Sequence, residues 1–235
     1  MLILAFETSA KAASAALHDG SVLLGESYQN TGLTHSQTLL KMAEDLLHTC
    51  GKTPGDVTDV AVAAGPGSFT GVRIGVAAAK GLSWGRELPC HGVSTLEAMA
   101  LSLGVYDGLV CPVMDARRNQ VYNALFDASA GVLSRMCDDR ALSLEELAQE
   151  LKNAKKTIFL VGDGSVLCYN TLSENIPGLV LPPEHRRNQR ADGVALAALR
   201  QIRQGARADG AALTPNYLRL SQAERERLAR QAGQK

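Results

Sequence analysis

Apolar positions in this 235-residue chain fall into short continuous runs that alternate with longer stretches at helical spacing. Met1 to Glu7 is apolar up to the polar pair Thr8-Ser9 and predicts a buried central strand. Ala12 to His18 predicts a second strand of small residues. Asp19-Gly20 is a two-residue hairpin signal, with Val22 to Tyr28 as the return strand. In Thr34-His35-Ser36-Gln37 a Gln follows three residues after Thr, the pattern of a capping box. Leu39, Leu40, Ala43, Leu46, Leu47 and Cys50 then recur at helical spacing before Gly51 stops the helix. Asp59 to Ala64 predicts a strand that enters Gly65-Pro66-Gly67-Ser68-Phe69-Thr70-Gly71, with a helix over Phe69–Gly85. Leu88 to Val93 predicts a further strand, and Ser94 the cap of a helix reaching Leu103.

The order then repeats. Leu109–Met114, Val121–Phe126 and Val132–Cys137 read as strands, and Leu142–Leu151 as a helix opened by Ser143. Thr157–Val161 reads as a strand into Gly162-Asp163-Gly164, and Asp192–Gln204 as a helix closed by Gly205. Two similar α/β lobes are expected, with a boundary near Tyr106. The N-terminal lobe covers 1–105 and a smaller C-terminal lobe 106–220, with a basic tail or helix over 221–235.

Composition narrows the function classes. With 24 Lys+Arg against 24 Asp+Glu, the chain lacks the basic excess of a protein that binds nucleic acid in its own right. An apolar fraction of 46% excludes intrinsic disorder. There is no run of about 18 apolar residues, so no membrane span is expected. The first residues lack a basic n-region and meet Glu7, unlike a secretory signal. Five cysteines without a CxxC pair fit small, reduced, buried thiols, and with them a cytoplasmic protein. Charge is uneven, however. Residues 181–235 carry 11 Lys and Arg against 5 Asp and Glu, a net of +6, which leaves −6 on the first 180. The stretches His185–Arg190 and Arg225–Arg230 read either as solvated helix ends or as contacts to RNA phosphates.

The Gly-rich turn is the most informative segment. A strand-to-helix turn is a natural anion site, because amides at a helix start are free and the dipole favours negative charge. Yet no Gly-Lys-Ser/Thr closes it, its glycines miss the dinucleotide spacing, and Pro66 removes one donor. In the helix that follows, Gly71, Gly75 and Ala79 lie four apart, with Ala78 beside them. Each interior Gly costs a helix roughly 1 kcal/mol relative to Ala, tolerated where another backbone comes close. That backbone belongs either to the chain's own sheet or to a partner subunit. Catalytic constellations are sparse. No two of the five histidines form HxxxH or HExxH, and no GxSxG elbow occurs. Asp115 in Asp115-Ala116-Arg117-Arg118 either caps a turn or pairs with Arg117. Glu7 has no second carboxylate nearby in sequence, so metal-assisted transfer is unsupported.

Taken together, AFETSAKAASAAL, THSQTLLKMAEDLL, GPGSFTGVRIGVAAAKGL, VSTLEAM, DARR and PNYLRL resemble the TsaB (YeaZ) family, most strongly over Met1–Met99. The resemblance implies two similar lobes of actin-like, sugar-kinase and Hsp70 (ASKHA) type, each a mixed sheet flanked by helices. It implies a non-catalytic scaffold subunit for threonylcarbamoyl transfer to N6 of the adenosine 3′ of the anticodon in tRNAs that read ANN codons. TsaD, the related transferase, would be its heterodimer partner, and the ATPase TsaE would join in an ATP-dependent ternary complex. Shortly after the same Gly-rich turn TsaD carries two metal-binding histidines four residues apart, where this chain has Thr95 and Met99. A neutral hydroxyl and a thioether do not hold a hard cation. The resemblance therefore implies no catalytic residue, metal or cofactor of the chain's own, ATP and metal belonging to the partners. The expected partner face comprises Leu39, Met42, Ile74, Gly75 and Ala78. It would meet TsaD, or a second copy as a homodimer when the chain is alone, and tRNA would be met only through the complex. The rival expectation is a stand-alone ATP-dependent phosphotransferase or protease of the same fold.

Overall fold

In the computed structural model, which describes residues 1–104, 107–206 and 208–219, the chain begins with an antiparallel meander. Strands β1 (Ile3–Glu7), β2 (Ala13–His18) and β3 (Leu23–Gln29) lie side by side. Helix α1 (His35–Thr49) leads to β4 (Asp59–Gly65), parallel to β1. Helix α2 (Phe69–Trp84) leads to β5 (Cys90–Ser94), parallel to β4, and α3 (Thr95–Leu103) follows. The order is β3-β2-β1-β4-β5. β1 is buried at every position because both sheet faces are covered, which is why it reads as a continuous apolar run. Leu4, Phe6, Val60 and Val62 pack under α1 and α2, while Ile3, Ala5, Ala61 and Ala63 face the other side.

The second sheet comprises β6 (Gly108–Asp115), β7 (Gln120–Asn123), β8 (Phe126–Ser129), β9 (Val132–Arg135), β10 (Arg140–Ser143), β11 (Ile158–Val161) and β12 (Leu179–Val180). Its helices are α4 (Leu144–Leu151), α5 (Ser165–Leu172) and α6 (Glu184–Arg187), with α7 (Ala191–Arg203) after them. The main path runs β10-β7-β6-β11-β12, and β8 pairs with β6 and β9.

Several expectations change. The strand expected over Val121–Phe126 is broken into β7 and β8, which pair with opposite ends of β6. Pro112, inside β6, has no amide to donate to the ladder there. The buried Asn123 side chain instead donates to the carbonyls of Pro112 (3.0 Å) and Ala124 (2.9 Å). β10 was not expected at all; Arg140 reaches Asn123 Oδ1 from it. The capping box at Thr34 does not form. The Gln37 amide bonds to the Thr34 carbonyl, and the His35 ring meets the Ala10 carbonyl at 2.8 Å. At α4 the Ser143–Glu146 box is complete.

The largest change concerns α7. Sequence order assigns it to the second lobe, yet it packs on the alanine face of the first sheet and on α3. A Cβ on Gly193 would lie 2.0 Å from the Ala98 carbonyl oxygen, so the two helices nearly touch along their backbones. Glu26 in β3 fixes its start: one oxygen takes the Arg190 guanidinium and the other the amides of Ala191 and Asp192. The expected boundary near Tyr106 and the tail over 221–235 lie outside the described residues. No helix among the described residues is long and apolar enough to cross a membrane.

Candidate functional site: the cleft between the lobes

Strand ends from both sheets converge on a cleft of about 560 Å³ whose lining includes Ser9, Lys11, Ser68, Asp115, Arg117, Asp163, Tyr217 and Arg219. From the first sheet, β1 ends at Glu7, and Thr8 and Ser9 follow, fully buried. They lie directly against the Gly-rich turn. The Ser68 amide donates to the Ser9 carbonyl (2.6 Å), and Thr8 Oγ1 donates to the Gly71 carbonyl (2.8 Å). A Cβ on Gly67 would come within 2.6 Å of the Ser9 carbonyl oxygen, and one on Gly71 within 2.1 Å of that of Thr8. A Cβ on Gly75 would sit 2.4 Å from Thr8 Oγ1.

The question left open by the sequence is thereby decided for this stripe: Gly71, Gly75 and Ala79 face the chain's own sheet. The expected partner face is corrected accordingly. Leu39 and Met42 are buried in the first core, and Gly75 is pressed on Thr8; Ile74 and Ala78 are half-buried. On an amphipathic helix the apolar positions point mainly at the chain's own sheet. The outward positions of α2 are instead Thr70, Arg73, Ala77, Gly81 and Trp84.

Glu7 is a strongly perturbed acid. It is 0% exposed; Oε1 accepts the Ser9 amide at 2.5 Å, and Oε2 has no partner among the described residues. Burial pushes its carboxyl up to about 7, and the negative charge of Asp163 adds to the rise. Asp163, beyond β11, is exposed at the cleft, yet much of its surroundings is protein. That enclosure raises its pKa, against the pull of a hydrogen bond from Gln189 Nε2 (2.9 Å). Asp163 was missed from sequence because it lies far along the chain from Glu7. Only the meeting of two sheets makes them neighbours.

Asp115 ends β6 and does both things expected of it: Oδ1 accepts the Arg117 amide at 2.7 Å, and Arg117 Nη1 stands 3.8 Å from Oδ2. In the turn that follows, Arg117, Arg118 and Asn119 have φ of +66°, +58° and +56°. Each such step costs an L-residue roughly 1–2 kcal/mol.

A strap formed by the segment after α7 makes one wall of the cleft. The Asn216 amide bonds to the Ala64 carbonyl (2.6 Å), and Tyr217 stacks on Phe69 with ring centres 4.7 Å apart. Arg73 Nε donates to the Tyr217 hydroxyl at 2.7 Å, and Arg219 donates to the Ala116 carbonyl of the second lobe. Within the PNYLRL stretch, these roles were not legible in sequence.

Thr95 and Met99 sit at the start and middle of α3, both buried, with Thr95 Oγ1 unpartnered among the described residues. No group of three or more His, Cys, Asp or Glu that would hold a metal forms among the described residues. The five cysteines are unpaired; Cys90, Cys111 and Cys168 are buried and Cys50 and Cys137 half-buried. Burial pushes the Cys168 thiol up to about 12, far from a nucleophilic thiolate.

A family model described as tRNA N6-adenosine threonylcarbamoyltransferase matches residues 29–227. A tRNA threonylcarbamoyladenosine biosynthesis protein TsaB from Bacillus subtilis is 34% identical over 95% of this chain and 96% of its own length. That of Escherichia coli is 43% identical over 52% of the chain and 53% of its own. Among solved structures, YeaZ from Pseudomonas aeruginosa superposes with a TM-score of 0.77 at 27% identity, over 92% of this chain and 99% of that one. An activator of 2-hydroxyisocaproyl-CoA dehydratase from Clostridium difficile, at 11% identity and a TM-score of 0.52, covers 87% and 97% and shares the fold alone.

Proposed function

Since this chain belongs to the TsaB (YeaZ) family and has its actin-like, ASKHA-type fold, we propose that it serves tRNA threonylcarbamoyladenosine synthesis as a non-catalytic scaffold. It acts with TsaD, which performs the transfer to N6 of the adenosine 3′ of the anticodon, and with TsaE in an ATP-dependent ternary complex. It uses no metal or nucleotide of its own, and it works in the cytoplasm.

The observation that carries this reading is the outer face of α2. Ala77, Gly81 and Trp84 recur there at three- and four-residue spacing, with half-buried Ile74 and Ala78 along its edge, and Trp84, the chain's one tryptophan, is 84% exposed at its end. On the neighbouring α1, Leu40 is 52% exposed. An apolar strip of this kind marks a protein contact. The same strip joins two copies when the chain is alone. The cleft supports the non-catalytic half of the reading, because the Ser9 carbonyl occupies an amide at the very helix start where a phosphate would bind.

The test is co-purification and modification. Ile74→Arg and Trp84→Ala should leave the unfolding midpoint unchanged, abolish recovery of TsaD and deplete threonylcarbamoyladenosine in tRNA. Gly75→Arg is unsuitable, since it would collide with Thr8 and unfold the chain. Retention of TsaD by a folded Ile74→Arg/Trp84→Ala double variant rejects this face. Turnover of ATP by the purified chain alone, lost on Asp115→Ala, would favour the phosphotransferase instead.

A further inference from the structure

The turn between β6 and β7 places arginines where the backbone least tolerates them. Arg117, Arg118 and Asn119 are consecutive left-handed residues, a conformation that glycine adopts freely. The backbone is nevertheless held firmly. The Arg117 amide bonds to Asp115 Oδ1, the Ala116 amide to the Gln120 carbonyl (2.9 Å) and the Leu144 amide to the Asn119 carbonyl (3.1 Å). Little inside the molecule uses the side chains so displayed. Arg117 is 85% exposed, with only a 3.8 Å approach to Asp115, and exposed Arg118 makes no side-chain bond among the described residues. Lys11, on the first lobe, is exposed and shares the cleft with Arg117. The acids there are already engaged: Asp115 by the turn amide and Asp163 by Gln189. A rigid turn thus projects two guanidinium forks outward beside a third cation, on a chain of zero net charge. Guanidinium groups match phosphate oxygens in pairs.

We propose that this turn is where the chain touches RNA, with Arg117 and Arg118 gripping phosphates of the tRNA backbone and Lys11 adding a third charge across the cleft. The choice of tRNA rests on the function proposed above, whereas the existence of a phosphate grip rests on the turn itself.

The experiment measures tRNA affinity of the full chain bound to TsaD across a range of salt concentrations. Arg117→Gly/Arg118→Gly should weaken binding about tenfold at low salt and flatten the slope of log K against log salt by about 2, close to one unit per phosphate lost. Arg117→Lys/Arg118→Lys should keep the slope. Because glycine relieves the left-handed strain, the glycine pair should also melt higher than wild type, which a merely structural arginine turn would not do. Wild-type affinity and slope in the glycine pair would overturn the proposal, as would a lower melting temperature. So would loss of TsaD or TsaE with tRNA affinity intact, which would assign the turn to a protein partner. Failure of the functional reading is separate: threonylcarbamoyladenosine would then persist in cells lacking the chain.

Discussion

Each lobe contains a strand, a glycine turn and a helix, and the two turns use glycine alike but serve different ends. After β4, a Cβ on Gly71 would press on the Thr8 carbonyl beyond β1. After β11, a Cβ on Gly162 would lie 2.2 Å from the Val113 carbonyl oxygen in β6. In both lobes the glycine lets the chain after the strand lie against the end of the neighbouring central strand; at Gly71 the reason is space between backbones alone, and at Gly162 a φ of +102° requires glycine as well. The lobes differ in what that contact encloses and supports. Glu7 at the end of β1 is sealed, while Asp115 at the end of β6 is part-exposed and holds a turn. The first turn opens a 16-residue helix capped by Ser68 Oγ with a free outer face, and the second an 8-residue helix without a side-chain cap. A shared packing device thus supports a long helix with an exposed outer face in one lobe and braces the cleft in the other.

The sharpest way to break this comparison is to fill the space. Gly71→Ala and Gly162→Ala should each cost about 3 kcal/mol or more in denaturant unfolding, because the obstructing atoms are backbone and, at Gly162, a φ of +102° strains any side chain as well. Gly81→Ala, on the same helix as Gly71 but with nothing within 4 Å, should stabilise by up to about 1 kcal/mol. Equal penalties at Gly71 and Gly81 would mean that helix propensity, not contact, governs the stripe.

The next effect is the titration of Glu7. The unfolded chain releases this proton near pH 4.5 and the folded chain near 7. The penalty is therefore absent below pH 4.5, grows as pH rises to about 7 and is constant above. Glu7→Gln should remove it and be more stable than wild type at pH 8 by on the order of 3 kcal/mol, with no gain at pH 4. Parallel pH profiles for the two proteins would show that Glu7 ionises freely. Glu26→Ala, which leaves Arg190 and the Ala191 and Asp192 amides at the start of α7 without their shared acceptor, should lower stability by about 2 kcal/mol in the same assay. The smallest effect is expected at Ser143→Ala, about 1 kcal/mol from the lost cap of α4.

Much of the element order was legible, because burial on one or both faces writes itself into local periodicity. β1 read as a run, α1 as an amphipathic stripe, and Ser94 and Ser143 as caps. The misreadings have local causes as well. Pro112 broke a ladder from the opposite strand, where Val121–Phe126 itself gave no sign of it. His35 found a carbonyl in another loop, so the Thr34 box was not used. Of the candidate site, Asp115 and the Gly-rich turn were visible as motifs, whereas Asp163, Gln189 and the strap from Asn216 to Arg219 carried no signal that tied them to it.

The sequence alone determined most of the elements, the two-lobed pattern and the family, because strand and helix periods and turn residues act over a few positions. Only the tertiary structure decided that α7 crosses to the first sheet, that Glu7 is buried beside Asp163, and that the glycine stripe of α2 turns inward. Those outcomes depend on which distant backbones come within contact distance, and no local spacing encodes which face of a helix meets its own sheet and which is left for a partner.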